Sequence, residues 1–205
     1  MSYLDNTIIT NYISKNNFQI ISSDLNRPWG GFHILDTEDS KETKTLFDTK
    51  IIYVLPTKLL SLQYHGSSTY IGHNEIWYTC TKTRILLSKK SVIDLSLQEL
   101  TQCLNDLLII DLEPNAKIFI PVGFLHALIN PYDTNLYIIE TRLSQIPELS
   151  SDRENHITRI YDQGTRPNTT PYPHKMLTAL QNPNIPPHFH LKSNTEFNIL
   201  INPIN

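Results

Sequence analysis

The sequence predicts an all-β domain, a sandwich or barrel of short strands interrupted by one helix. Segments 49–55, 59–65, 75–80, 83–88, 117–121, 125–130 and 135–141 are rich in β-branched, Leu or aromatic residues and bounded by turn formers, the mark of strands. Seven or more short strands in one domain point to a sandwich or barrel. The stretch SLQELTQCLNDLL, 96–108, breaks the pattern with leucines at 97, 100, 104 and 107/108, which is helical spacing.

Taken in order, residues 1–26 are Asn- and Ser-rich with short apolar pieces and read as a lead-in. RPWGGFHIL, 27–35, reads as a turn followed by a strand, and DTEDSKETKT as a polar loop. The strands then run to the helix, where Ser96 and Glu99 fit a capping box, each side chain satisfying an orphan N–H. Its leucine stripe reads as core packing. From 167 to 205 the chain turns rich in Pro and Asn, a tail expected to wrap the barrel surface with few strands. The main domain is therefore expected at 27–166.

The totals narrow the function. The 205 residues, 40% hydrophobic, suit one domain with a real core. A net charge of −3 with scattered Lys and Arg gives no nucleic-acid surface. No apolar run suits a signal peptide or a membrane span, so a soluble, cytoplasmic protein is expected. Cys80 and Cys103 fit neither a disulfide framework nor zinc-ligand spacing and read as small buried hydrophobes.

LSLQYHGSSTYIGHNEIWY, 60–78, carries the chemistry. Side chains alternate along a strand, so Leu60, Leu62 and Tyr64 face one way, to pack against a second sheet. Ser61, Gln63 and His65 face the other, into a cavity. Glu75 and Trp77 alternate similarly on the next strand. An amide oxygen, an imidazole and a carboxylate converging there suit zinc, manganese or iron. IFIPVGFLHALINP, 118–131, offers His126 as a fourth ligand after a Pro-x-Gly turn. Singly, each residue reads as structural; the set Q-x-H, E-x-W and P-x-G-x-x-H points to a metal site.

This set resembles the cupin domain of mannose-6-phosphate isomerases, where LSLQxH, E-x-W and IPxGxxHxxxN mark three barrel segments. The resemblance implies a cupin, a double-stranded β-helix (jelly-roll) barrel with one short inserted α-helix and irregular termini. It also implies Gln63, His65, Glu75 and His126 as metal ligands, followed by Asn130. Arg27, Pro28, Trp29 and Gly30 match the R-P-W-G opening of the single-domain branch, and Lys50 its lysine. IIET at 138–141 and TRIYDQGTR at 158–166 are similar to further family segments. Three departures stand out. Glu75 comes ten residues after His65, Thr141-Arg142 stands where the family has Thr-Gln or Val-Gln, and the Gly ending the E-x-W strand is missing.

The resemblance implies aldose–ketose isomerisation of mannose 6-phosphate and fructose 6-phosphate with a divalent metal, zinc first and manganese, cobalt or iron as alternatives. Arg159 and Lys50 are the candidate catalytic cations; Arg166 and Glu140 are candidate substrate-binding residues. The expected partner is a small sugar phosphate, with no nucleic acid and no membrane, and homodimerisation through an edge strand. Another sugar, or a non-catalytic sugar- or metal-binding cupin, are the competing readings. His188, His190 and Glu196 read as a structural tail with incidental histidines.

Overall fold

The computed structural model describes residues 6–36, 46–67, 72–144, 157–162, 179 and 182–199. Thirteen strands and two helices are named within them. The strands are β1 (Gln19–Arg27), β2 (Gly30–Asp36), β3 (Leu46–Val54), β4 (Leu62–His65), β5 (Asn74–Thr79) and β6 (Thr83–Ser91). They continue as β7 (Leu108–Leu112), β8 (Lys117–Ile120), β9 (Phe124–Ile129), β10 (Leu136–Ser144), β11 (Ile157–Tyr161), β12 (Phe189–Leu191) and β13 (Glu196–Asn198). Helices α1 (Thr7–Lys15) and α2 (Leu97–Asn105) lie outside the sheets' core.

One sheet has seven strands in the order β1-β2-β3-β10-β5-β8-β13; the other has six, β11-β4-β9-β6-β7-β12. Strands far apart in sequence sit side by side: β3 pairs antiparallel with β10, and β4 with β9 and β11. The two sheets enclose one apolar cluster, a double-sheet β-barrel of the jelly-roll kind.

Alternation sorts the side chains into three apolar layers. Ile52, Trp77, Ile85, Leu87, Ile118 and Leu128 belong to the cluster between the sheets. Leu62, Leu86, Ile109 and Leu125 turn outward and pack with Cys103 and Leu104 of α2. Ile51, Tyr137 and Ile139 turn outward from the first sheet and pack with Ile9 of α1. Both faces of the central strands are thus buried, so β7 and β9 are buried at every residue. This corrects one expectation. Leu60 joins the cluster between the sheets, but Leu62 and Tyr64 belong to the outer cluster that also holds Ile160 of β11 and residues of α2, because the second sheet lies on the side that Gln63 and His65 face.

The capping box holds: Glu99 N–H donates to Ser96 Oγ (3.3 Å) and Ser96 N–H to Glu99 Oε2 (2.9 Å). The helix stops at Asn105, and Leu107 and Leu108, read as its last turn, instead lead into and begin β7. Within 1–26, expected as a lead-in, the chain forms α1 and most of edge strand β1, which runs on to Arg27. Asn6 caps α1 by accepting from the Ile8 and Ile9 N–H groups, and its own amide donates to Cys80 O at 3.2 Å.

Two devices hold the loops. Asn130 is fully buried and its amide donates to Val54 O and Thr134 O, both at 2.8 Å, while its oxygen accepts from Tyr132 N. Gly123 has φ of +82°, and a Cβ there would come within 2.3 Å of Ser91 Oγ; only glycine makes this turn into β9 without strain.

The tail adds β12 and β13 as short parallel edge strands on β7 and β8. Arg84, 1% exposed, forms a bidentate pair with Asp111 (2.6 and 2.9 Å) and donates to the carbonyls of Asn182, Pro183 and Ile185. His188 accepts from Ile109 N–H, His190 pairs with Glu113 and Glu196 with Lys117. These contacts fasten residues 182–198 to the edges of both sheets. Among the described residues, no helix is long and apolar enough to cross a membrane.

Candidate metal centre

Glu75 is the centre of the site. It lies on the inward face of β5 and is fully buried. Its Oε1 is 3.0 Å from His65 Nε2, 3.4 Å from His73 Nε2 and 3.6 Å from Arg142 Nε. Its Oε2 accepts from Trp77 Nε1–H at 3.0 Å and is 3.4 Å from His126 Nε2. The Trp77 indole, two residues along the same face, thereby fixes the carboxylate's orientation.

The histidines arrive from three places. His65 ends β4 and His126 lies mid-strand in β9, with its strand neighbour Gln63 in register across the sheet. His73 precedes β5 and lies against His65, ring centroids 3.9 Å apart and planes tilted by 38°. The ligand atoms of His65, His73 and Glu75 all lie within 4.8 Å of one another, a grouping able to hold a metal ion.

The protonation pattern favours a cation there. Burial pushes His65 down to about 3, although Glu75 pulls the other way, so its imidazole is neutral at pH 7. Burial would raise Glu75, but contacts with His65, His73 and His126 hold its carboxyl well below the ordinary carboxylate range. His126 Nδ1 lies 2.9 Å from Phe124 O; a proton on Nδ1 makes this a hydrogen bond and leaves Nε2 with a lone pair. That Nε2 is buried without a hydrogen-bond partner and points at a carboxylate oxygen 3.4 Å away. Two acceptors facing each other in a buried site are costly unless a cation stands between them. The residues therefore fit a divalent ion: the neutral His65 imidazole and further ring nitrogens around one ionised carboxylate.

Gln63 stands beside the cluster but offers the wrong end. Its amide nitrogen is 3.4 Å from His65 Nε2, and its oxygen accepts from Ser61 Oγ–H at 2.7 Å. Ligation through oxygen requires the amide to turn over, with Ser61 Oγ accepting instead of donating.

His73 was absent from the ligand set read from sequence. The signal was present: His73, Glu75 and Trp77 are two apart, so alternation sends all three to one side.

A cavity of about 190 Å³ opens beside the cluster, lined by Lys50, Gln63, Glu140, Arg142 and Arg159 among others. Arg142 Nε donates to Glu140 Oε1 at 2.9 Å, and Lys50 Nζ is 3.8 Å from the same oxygen. Arg159 sits opposite Gln63 in the β11–β4 register. Arg27 also lines the cavity but is tied to Asp24 at 2.7 Å. Lys50 and Arg27 both approach the Phe32 ring, at 5.4 and 5.8 Å from its centroid. Arg166 lies outside the described residues.

No family model matches the chain. No curated protein matches it either. Among solved structures it is similar to capsular polysaccharide assembling protein CapF from Staphylococcus aureus, at 16% identity and TM-score 0.43, covering 66% of this chain and 31% of that one. It is similar to a single-residue variant of oxalate decarboxylase from B. subtilis, at 12% identity and TM-score 0.46, covering 67% and 30%. It is also similar to vicilin from Capsicum annuum, at 10% identity and TM-score 0.44, covering 67% and 32%. The chain spans about a third of the length of each.

Proposed function

We propose that this chain is a metal-dependent aldose–ketose isomerase that interconverts mannose 6-phosphate and fructose 6-phosphate. The observation that carries the reading is the buried Glu75 carboxylate, ringed by imidazole nitrogens and 3.6 Å from Arg142, which with Lys50 and Arg159 lines the neighbouring cavity.

Glu75, His65 and His126 hold the ion, with zinc first and manganese, cobalt or iron as alternatives. His73 and Gln63 compete for the remaining position. The bound ion supplies Lewis-acid polarisation of the sugar's carbonyl and hydroxyl oxygens.

The chain's own residues supply the rest. Lys50 and Arg159 draw the anionic substrate in and stabilise negative charge as it develops during proton transfer between C1 and C2. Glu140, on the cavity wall, accepts a hydrogen bond from a sugar hydroxyl. Arg166 is a further candidate for the phosphate, which a guanidinium binds bidentately. The apolar floor of Trp29, Ile52 and Leu60 limits water around the reacting carbons.

The test is a coupled assay for fructose 6-phosphate formation from mannose 6-phosphate, before and after chelation and metal return. Activity lost on chelation and restored by metal supports the reading. Metal bound without turnover moves the substrate to another sugar or makes the chain a binding module.

A further inference from the structure

We infer that Arg142 couples anion binding in the cavity to metal binding at Glu75, so that a phosphate group and the metal reinforce one another. This rests on the metal-site reading above and adds the role of one residue to it.

The geometry begins with the sheet. Glu140 and Arg142 are two apart on β10 and share its inward face. Arg142 stands opposite Glu75 of β5, and Glu140 opposite Lys50 of β3. The side chains follow the register: Arg142 Nε is 2.9 Å from Glu140 Oε1 and 3.6 Å from Glu75 Oε1, and Lys50 Nζ is 3.8 Å from Glu140 Oε1. A line of alternating charge, Lys50–Glu140–Arg142–Glu75, thus runs from the cavity to the metal cluster. Its members are nearly out of solvent, with side-chain exposures of 10%, 2%, 13% and 0%. Charges this close and this dry act strongly on one another.

Arg142 consequently has two opposed effects. The Glu75 oxygen it approaches is the same Oε1 that His65 and His73 reach. A divalent ion on that carboxylate is repelled by the guanidinium beside it. An anion resting on Arg142 offsets that repulsion and favours the ion. Linkage makes the effect mutual, so the ion favours the anion by the same factor. Arginine carries five N–H donors in a fixed fork, a geometry that matches an oxyanion.

The cavity's chemistry names the anion. Its charged lining is Arg27, Lys50, Arg142 and Arg159 against Glu140. Its volume, about 190 Å³, is below the roughly 300–1,000 Å³ of drug-sized ligand sites. A compact oxyanion fits, and a phosphate group meets the description whether free or esterified to a sugar.

The test is calorimetric titration of inorganic phosphate, mannose 6-phosphate and neutral mannose into chelated and metal-loaded protein, with metal content measured separately. In the unaltered protein, metal loading should tighten phosphate or mannose 6-phosphate binding by about fivefold or more, the lower range of measured couplings, and leave mannose unaffected. A ratio seen with both anions makes phosphate alone the recognised group; one seen only with mannose 6-phosphate makes the ester the source. Arg142→Gln should bring the ratio to near one while metal is still bound, and Arg142→Lys should keep part of it. An undiminished ratio in Arg142→Gln would mean that the anion reads the metal directly, which overturns the inference. A ratio of one in the unaltered protein that still binds metal overturns it while leaving the metal site standing. A chain that binds no metal sinks both.

Discussion

Acid should weaken the chelated protein through His65 before it reaches the surface carboxylates. Burial holds this imidazole at about 3, against an ordinary 6.5. The unfolded chain therefore takes up a proton that the folded chain does not, and unfolding is coupled to proton binding. Because the folded value lies below the unfolded one, the contribution is complete above pH 6.5 and is lost as pH falls toward 3. Within that window His65 alone costs about 1.4 kcal/mol per pH unit, on the order of 5 kcal/mol in full. The assay is urea unfolding of chelated protein at steps from pH 7 to pH 5, where most carboxylates stay ionised. His65→Gln keeps a donor for Glu75 but removes the titrating group. The stability-versus-pH slope of that variant should be shallower by about 1.4 kcal/mol per pH unit below pH 6. Parallel slopes in the two proteins would refute the buried, neutral imidazole.

Other perturbations reach other parts of the account. Arg84→Met leaves Asp111 buried and unpaired, and should cost about 3–5 kcal/mol in denaturant unfolding; adding Asp111→Leu should recover most of it, and equal losses in single and double variants would contradict the pairing. Trp77→Phe removes the donor to Glu75 Oε2 and should cost about 1.5–3 kcal/mol of stability, as for a hydrogen bond to a charged group, in chelated protein unfolded by urea. Gly123→Ala forces a Cβ onto Ser91 at positive φ and should lower stability by about 1–3 kcal/mol; an unchanged midpoint would argue against this turn. His73→Ala and Gln63→Ala separate the two candidates for the remaining ligand position, since the true ligand's loss should weaken metal affinity measured by competition with a chelator, and the other's should leave it nearly unchanged.

Much of the site was legible because strand alternation is local. Gln63 and His65, Glu75 and Trp77, and Glu140 and Arg142 each sit two apart, and each pair faces inward. What alternation could not say was which sheet lay on which side. Leu62 and Tyr64 therefore joined the outer apolar cluster instead of facing a second sheet. Strand β7 was hidden because LLIIDL is buried on both faces and its first leucines continue the helical spacing of α2. Strand β1 was hidden for the opposite reason: six of its first seven residues are exposed, so no apolar rhythm marks it. Strands β12 and β13 are three residues each and exist through parallel pairing with β7 and β8, partners roughly 80 residues earlier in the chain. His73 escaped because it precedes its strand, though its parity with Glu75 places it in the cluster.

The central claim is that a metal ion sits on Glu75. Metal analysis of purified protein, beside Glu75→Gln and His126→Ala, tests it most directly. The account predicts a single divalent ion per chain in the unaltered protein and its loss in both variants. Full metal content in the two variants would contradict it.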